Sequence, residues 1–173
     1  MTVSAVIARV EPGSRAALAG IASGDTLISI NGHPVRDIID YQYYAASSRV
    51  CLGVGKPDGS KCHVVIDNDY DTRLGIHFHE LAFDGEKHCA NKCVFCFIDQ
   101  LPSGMRRSVY FKDDDYRLSF LQGNFVTLTN LADSDIERII QLRLSPLYVS
   151  VHSTDEETRC TLLGRTKAAT RPI

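Results

Sequence analysis

Thirteen residues, His88 to Gln100, read HCANKCVFCFIDQ and carry three cysteines at spacing C-x3-C-x2-C. Thiolates are soft ligands that suit zinc and iron–sulfur clusters. Disulfide frameworks spread their cysteines to staple distant segments, whereas a tight cluster in a reducing compartment points to metal. A four-iron cluster usually takes four thiolates. A loop that supplies three leaves one iron open for a substrate or cofactor, as catalytic zinc keeps one open position. The C-x3-C step is wider than the C-x2-C of zinc ribbons and lets a loop wrap a bulky cube. Zinc is the rival reading. It needs a fourth ligand from His88, His79, Cys62 or His152, and His88 abuts Cys89, where two side chains seldom converge on one tetrahedral ion.

The elements that must hold this loop divide into two groups. The chain has 173 residues, 44% of them hydrophobic and 23% charged, which is enough for one or two domains with a real core. The net charge of −2 gives no basic field for nucleic acid or anionic membrane. No apolar run approaches the ~20 residues of a membrane span, and MTVSAVIARVEPG lacks the basic start of a signal peptide. A cytoplasmic location is expected.

Residues 1–80 read as a β-rich domain. Strands are expected at Thr2–Val10, Thr26–Ile30, RVCLGVG, KCHVVID and TRLGIHFHE, with turns at Asn31-Gly32 and KPDGS. EPGSRAALAGI is a short helical piece. VRDIIDYQYYAA is an amphipathic helix with Val35, Ile38, Ile39 and Tyr43 at helical spacing. Residues 81–173 follow a different grammar: GNFVTLTN as a strand, LADSDIERIIQLRL as a helix with Ser134 and Glu137 at capping-box spacing, SPLYVSVHS as a buried strand, and STDEETRCTLLG as a helix with Ser153 and Glu156 spaced likewise. Alternating strands and helices imply βαβ units and a parallel sheet, an α/β class overall. Two or three such strands cannot cover both sheet faces, so an incomplete barrel is expected.

Cys89-x3-Cys93-x2-Cys96, with Phe95 just before the last cysteine, resembles the signature of radical S-adenosylmethionine (SAM) enzymes. The resemblance implies a partial β/α barrel with LAFDGEK, FVTLTN and YVSVHS as its first three strands. It implies a [4Fe–4S] cluster on the three cysteines and SAM on the fourth iron. It also implies cleavage of SAM to a 5′-deoxyadenosyl radical by an electron from a reducing donor, and oxidoreductase chemistry on a substrate the residues do not name. Phe95 would lie by the adenine. Thr127, Thr129 and Asn130 stand where the family's Gly-Gly-Glu-like motif holds the SAM amino group, and they depart from that motif. The run from Cys93 to Asn130 resembles a subgroup that joins a PDZ-like domain to a radical SAM core. Its members continue past this point, so the chain reads as C-terminally truncated and is not expected to turn over alone.

VIARVEPGSRAALAGIASGDTLISINGHPVRDIIDY resembles a PDZ domain. Such domains bind a peptide C-terminus as an added strand. The nearest equivalent of their carboxylate loop and strand is Leu74, Gly75, Ile76, His77 and Phe78, at the far end of the domain, which implies a permuted PDZ-like fold. A docking role for this domain is preferred to peptide binding.

Three functions therefore compete: a radical SAM enzyme, a PDZ-like binding module carrying an inert barrel remnant, and a zinc-bound structural protein. Asp113–Asp115 read as a solvated loop and Arg106 and Arg107 as exposed loop arginines. His77 and His79 read as surface strand positions. Cys51, Cys62 and Cys160 read as small core residues or free thiols. His152, ending the third barrel strand, is a candidate for lining the site. Exposed strand edges predict poor solubility or dimerisation through the C-terminal half.

Overall fold

The computed structural model describes residues 5–68 and 73–166. The expected strand residues Thr2–Ser4, Thr72 of TRLGIHFHE, most of the polar break DNDYD and the C-terminal residues from 167 lie outside these. The chain divides into two compact units, Met1–Gly85 and Glu86–Ile173. No helix among the described residues is long and apolar enough to cross a membrane.

In the first unit, strands β1 (Ala5–Val10), β2 (Thr26–Ile30), β4 (Arg49–Gly55), β5 (Lys61–Asp67) and β6 (Ile76–Phe78) form an antiparallel sheet in the order β5-β4-β2-β1-β6, with the two-residue β3 (His33–Pro34) beside β2. The alternating apolar residues of these strands put Ala5, Ile7, Leu27, Ile30, Val50, Leu52 and Val54 into one core, each at most 1% exposed. Helix α1 (Arg15–Leu18) is capped by Ser14, whose hydroxyl accepts from the Ala17 amide. Helix α2 (Ile38–Ala45) starts where the buried Asp37 carboxylate accepts from the Asp40 amide at 2.9 Å. Tyr41 and Tyr44 face the core, whereas Tyr43, expected inward, is 52% exposed. Val35 precedes the helix and reaches the core from the loop.

LAFDGEK, expected as the first barrel strand, is not a strand. Ala82 makes an isolated bridge to Asp37, and the Phe83 amide donates to the Arg36 carbonyl, so this segment finishes the first unit. Its apolar residues Ala82 and Phe83 are buried there.

The second unit carries a minimal parallel sheet. Strand β7 (Phe125–Val126) pairs with β8 (Tyr148–Val149), and the Ser150 amide extends the ladder to the Val126 carbonyl. Both strands are shorter than their β-branched runs. Val126 is buried, while Phe125 and Tyr148 meet edge-on and remain 67% and 43% exposed. Helices α3 (Tyr116–Gln122), α4 (Asp133–Gln141) and α5 (Glu156–Leu163) accompany them.

The caps correct the sequence reading. α4 begins at Asp133, and Asp135 rather than Glu137 turns back to accept from the Ala132 amide. α5 is capped by Asp155, whose carboxylate accepts from the Thr158 amide; Ser153 instead accepts from the Asp155 amide. On α4, Ile140 points outward, and the buried residue is Arg138, whose guanidinium donates to the Tyr116 hydroxyl at 2.8 Å.

Two of the three aspartates of the acidic run are buried and Asp113 is partly so, which corrects the solvated-loop reading. Asp114 is 2% and Asp115 0% exposed. Asp115 caps α3 and holds the Arg117 guanidinium, itself 3% exposed, while accepting from the Lys87 amide. Burial pushes the Asp115 carboxyl up, but the Arg117 hydrogen bond and charge and the Lys87 amide outweigh it and hold the group below the usual carboxylate value. The pair's stabilisation is therefore full above the unfolded carboxylate value of about 3.9 and is lost as pH falls through the lower folded value. Asp115→Asn removes the carboxylate charge that the buried Arg117 guanidinium faces and is expected to cost about 3–5 kcal/mol at neutral pH. Denaturant unfolding of wild type and variant from pH 7 down to pH 3 should show that gap narrowing only in the acid limb.

Candidate cluster loop and peptide groove

The cysteine loop has no regular secondary structure, so its shape comes from what its backbone is tied to. The Lys92 and Val94 amides donate to the Leu163 and Leu162 carbonyls at 3.0 and 3.1 Å, so the loop satisfies the open C-terminal carbonyls of α5. Gly164 ends that helix with φ +60, and a Cβ there would stand 2.5 Å from the Lys92 carbonyl oxygen. Glycine is required both by the left-handed turn and by this approach.

On its other side the loop meets the segment 112–115. The Cys89 amide donates to the Lys112 carbonyl at 2.7 Å. The Lys112 ammonium donates to the Asn91 carbonyl at 2.9 Å and to the Asp99 carboxylate at 2.7 Å. Asn91, 1% exposed, sits between the first two cysteines and gives its side-chain amide to Thr127 Oγ1 at 3.0 Å, while its Oδ1 accepts from Thr129 Oγ1 at 3.0 Å. Asp114 completes the network, accepting from the Thr127 amide at 2.6 Å and the Thr127 hydroxyl at 2.7 Å. The Asn130 amide donates to the Asp114 carbonyl at 2.9 Å, and Asn130 Oδ1 is buried without a hydrogen-bond partner among the described residues. The Arg159 guanidinium donates to the Thr127 and Val151 carbonyls, binding α5 to both strand ends.

Cys89, Cys93, Asn91, Lys112 and Asp99 line an open cleft of about 420 Å³. All six cysteines of the chain are free thiols. Burial pushes the Cys89 thiol up, with the Asp114 and Cys96 charges adding and Lys112 opposing. Cys93 is raised first by burial and then by Cys89 and Cys96. Among the described residues, no group of three or more His, Cys, Asp or Glu side chains is arranged to hold a metal ion. Lys112 loses some charge stability to burial, but the Asp99 hydrogen bond and the neighbouring sulfurs raise its pKa overall.

Phe95 is 45% exposed and its ring lies 5.1 Å from that of His152, so the two expected site residues meet. Burial, helped by the Arg159 charge, lowers the His152 pKa. His88 packs edge-on against Phe111. Arg106 and Arg107 are exposed, as expected. Asn91, Asp99, Lys112, Arg159 and Gly164 were not singled out from the sequence, and Asp114 was read there only as part of a solvated loop. The signal in reach was Asp115 preceding YRLSFLQ and Gly123, a cap-and-stop pattern that marks α3 and pulls the acidic run inward.

The first unit holds a groove of about 600 Å³ between β6 and α2. Leu74, Gly75, Ile76, His77 and Phe78 all line it, facing Ile38, Tyr41 and Ala45. β6 pairs with β1 on one side and ends the sheet on the other. Gly75 has φ +81, and a Cβ there would meet Ser14 Cβ at 2.4 Å. Tyr41 packs edge-on against Phe78, and burial pushes its phenol up to about 12. His77 joins Glu11 at 2.7 Å, and that hydrogen bond holds the Glu11 carboxyl below its usual value.

Gly164→Ala is expected to cost about 1–3 kcal/mol through left-handed strain and the Lys92 clash. Hydrogen exchange read by mass spectrometry should then show faster exchange at the Lys92 and Val94 amides.

No curated protein matches the chain. A PDZ domain model matches residues 6–52, spanning β1 to the middle of β4. A model described as a radical SAM-like domain matches residues 68–172, more than half of the chain and the whole of the cysteine loop with its supports. By that match the chain belongs to the radical SAM-like domain family.

Proposed function

We propose that the cysteine loop holds a [4Fe–4S] cluster through Cys89, Cys93 and Cys96, and that SAM binds at the fourth iron. The observation that carries this reading is the loop itself: three thiols in eight residues, two of them lining one open cleft, on a backbone tied at both sides. The donor set fits the group: three cysteines, whose thiolates are the usual ligands of iron–sulfur clusters, stand within eight residues, and Lys112 shares the cleft wall with two of them. With SAM bound and one electron from a low-potential donor, the cluster supplies reductive cleavage of SAM to methionine and a 5′-deoxyadenosyl radical that abstracts hydrogen from a substrate.

The chain's own residues orient that chemistry. Phe95, held against His152, offers an exposed aromatic face to the adenine. Of the three residues expected to hold the SAM amino group, Thr127 and Thr129 turn their hydroxyls to Asp114 and Asn91, whereas Asn130 keeps a free buried acceptor, Oδ1, for an ammonium hydrogen. The cytoplasm, where thiols stay reduced, suits six free cysteines.

Anaerobic reconstitution with iron and sulfide is expected to load about four irons per chain, with an EPR signal on reduction that SAM perturbs. Alanine at any of the three cysteines should abolish both. Zinc uptake without iron or acid-labile sulfide would replace this reading with the structural-zinc one.

A second reading, independent of the first, has the groove of the first unit bind an extended peptide along the outer edge of β6. The full set Leu74–Phe78 in the groove wall favours it, with Gly75 turning the backbone at its start. Calorimetric titration should detect a peptide ending in a free carboxylate on an apolar residue. Ile38→Arg should weaken it at least tenfold, and amidation of the peptide should do the same.

A further inference from the structure

Lys112 meets the cysteine loop at three places, from Cys89 at one end to Asp99 at the other. Its carbonyl accepts from the Cys89 amide, and its ammonium donates to the Asn91 carbonyl and the Asp99 carboxylate. The side chain is only 18% exposed and shares the cleft wall with Cys89 and Cys93. Asp99, which partly balances its charge, is 47% exposed and lies where water and salt screen it more strongly. Among the described residues, the only other Lys or Arg that lines the cleft is Lys92, whose residue is exposed.

Resting on the cluster reading of this loop, we infer that Lys112 is its positioning residue and the fixed cation that sets the cluster's electron affinity. The geometry gives it two separable effects. As a staple, it closes the loop by joining Asn91 to Asp99, so the backbone that carries the three cysteines is held before any iron arrives. As a charge, it stands in a partly buried cleft, where Coulomb attraction is stronger than in water. Each electron that enters a thiolate-bound cluster adds negative charge, and a neighbouring cation favours the more reduced form. The electron comes from an external low-potential donor; Lys112 changes how readily it is accepted.

The full chain carrying Lys112→Met or Lys112→Arg tests both effects. In the metal-free protein, hydrogen exchange across residues 89–100 should be faster in Lys112→Met than in wild type, with α3 exchanging unchanged as the folding control. After anaerobic reconstitution, an EPR-monitored reductive titration with dithionite and mediators should place the Lys112→Met cluster at a more negative midpoint potential. Lys112→Arg, which keeps the charge, should return the potential toward wild type. Asp99→Asn, which removes the opposing charge, should shift it in the positive direction. Wild-type exchange in Lys112→Met overturns the staple. An unchanged potential, or the same shift in the Arg and Met variants, overturns the charge. Failure of the wild-type chain to take up iron overturns the cluster reading and the charge effect with it, while the metal-free exchange still decides the staple.

Discussion

One buried carboxylate organises the second unit. Asp114 accepts from both the amide and the hydroxyl of Thr127, and so fastens the segment before α3 to the end of β7. Thr127 in turn receives the Asn91 amide, and Asn91 lies inside the cysteine loop. A carboxylate that is 2% exposed is tolerable only if its lone pairs are filled. That requirement forces strand end, loop and acidic segment to meet in one arrangement. The loop's order is therefore imposed from outside, by a network in which a missing partner would leave a buried polar group unsatisfied.

The neighbouring positions divide this labour. Lys112 reaches the loop, Asp113 accepts from the Asn124 side chain, Asp114 serves β7, and Asp115 caps α3 and neutralises Arg117. Four consecutive side chains point into four different structures, which an extended segment permits because successive residues alternate sides. The opposite flank of the loop is held by backbone hydrogen bonds to the end of α5. There the helix end of α5 offers bare carbonyls, and Gly164 makes room for the loop to reach them.

The first unit was legible in nearly every strand because its β-branched alternation and its Asn-Gly and Asp-Gly turns are local signals. The one inversion there, Tyr43 outward with Tyr41 and Tyr44 inward, follows from where Asp37 starts the helix, which sets the phase of every later residue. The cysteine triplet and Phe95 were equally legible, since their message lies in spacing. What local patterns could not give was partnership. Asp113–Asp115 have the composition of a solvated loop, and it takes Thr127, Arg117 and the Lys87 amide to make Asp114 and Asp115 interior groups. LAFDGEK has strand-like residues, yet Arg36 and Asp37 engage it in the first unit. Ser134 and Ser153 had the right spacing for caps, but nearby aspartates, with charged acceptors, took the helix starts.

The attachment of the cysteine loop to α5 has a temporal side. The carbonyls that receive Lys92 and Val94 belong to Leu163 and Leu162, roughly 70 residues further along the chain. A ribosome adding about 5–20 residues per second delivers them several seconds after the thiols emerge. During that interval the ties to Lys112 and Thr127 are all that can hold the loop, and its α5 side has no partner yet. The full order of the loop therefore waits on the docking of a helix made last.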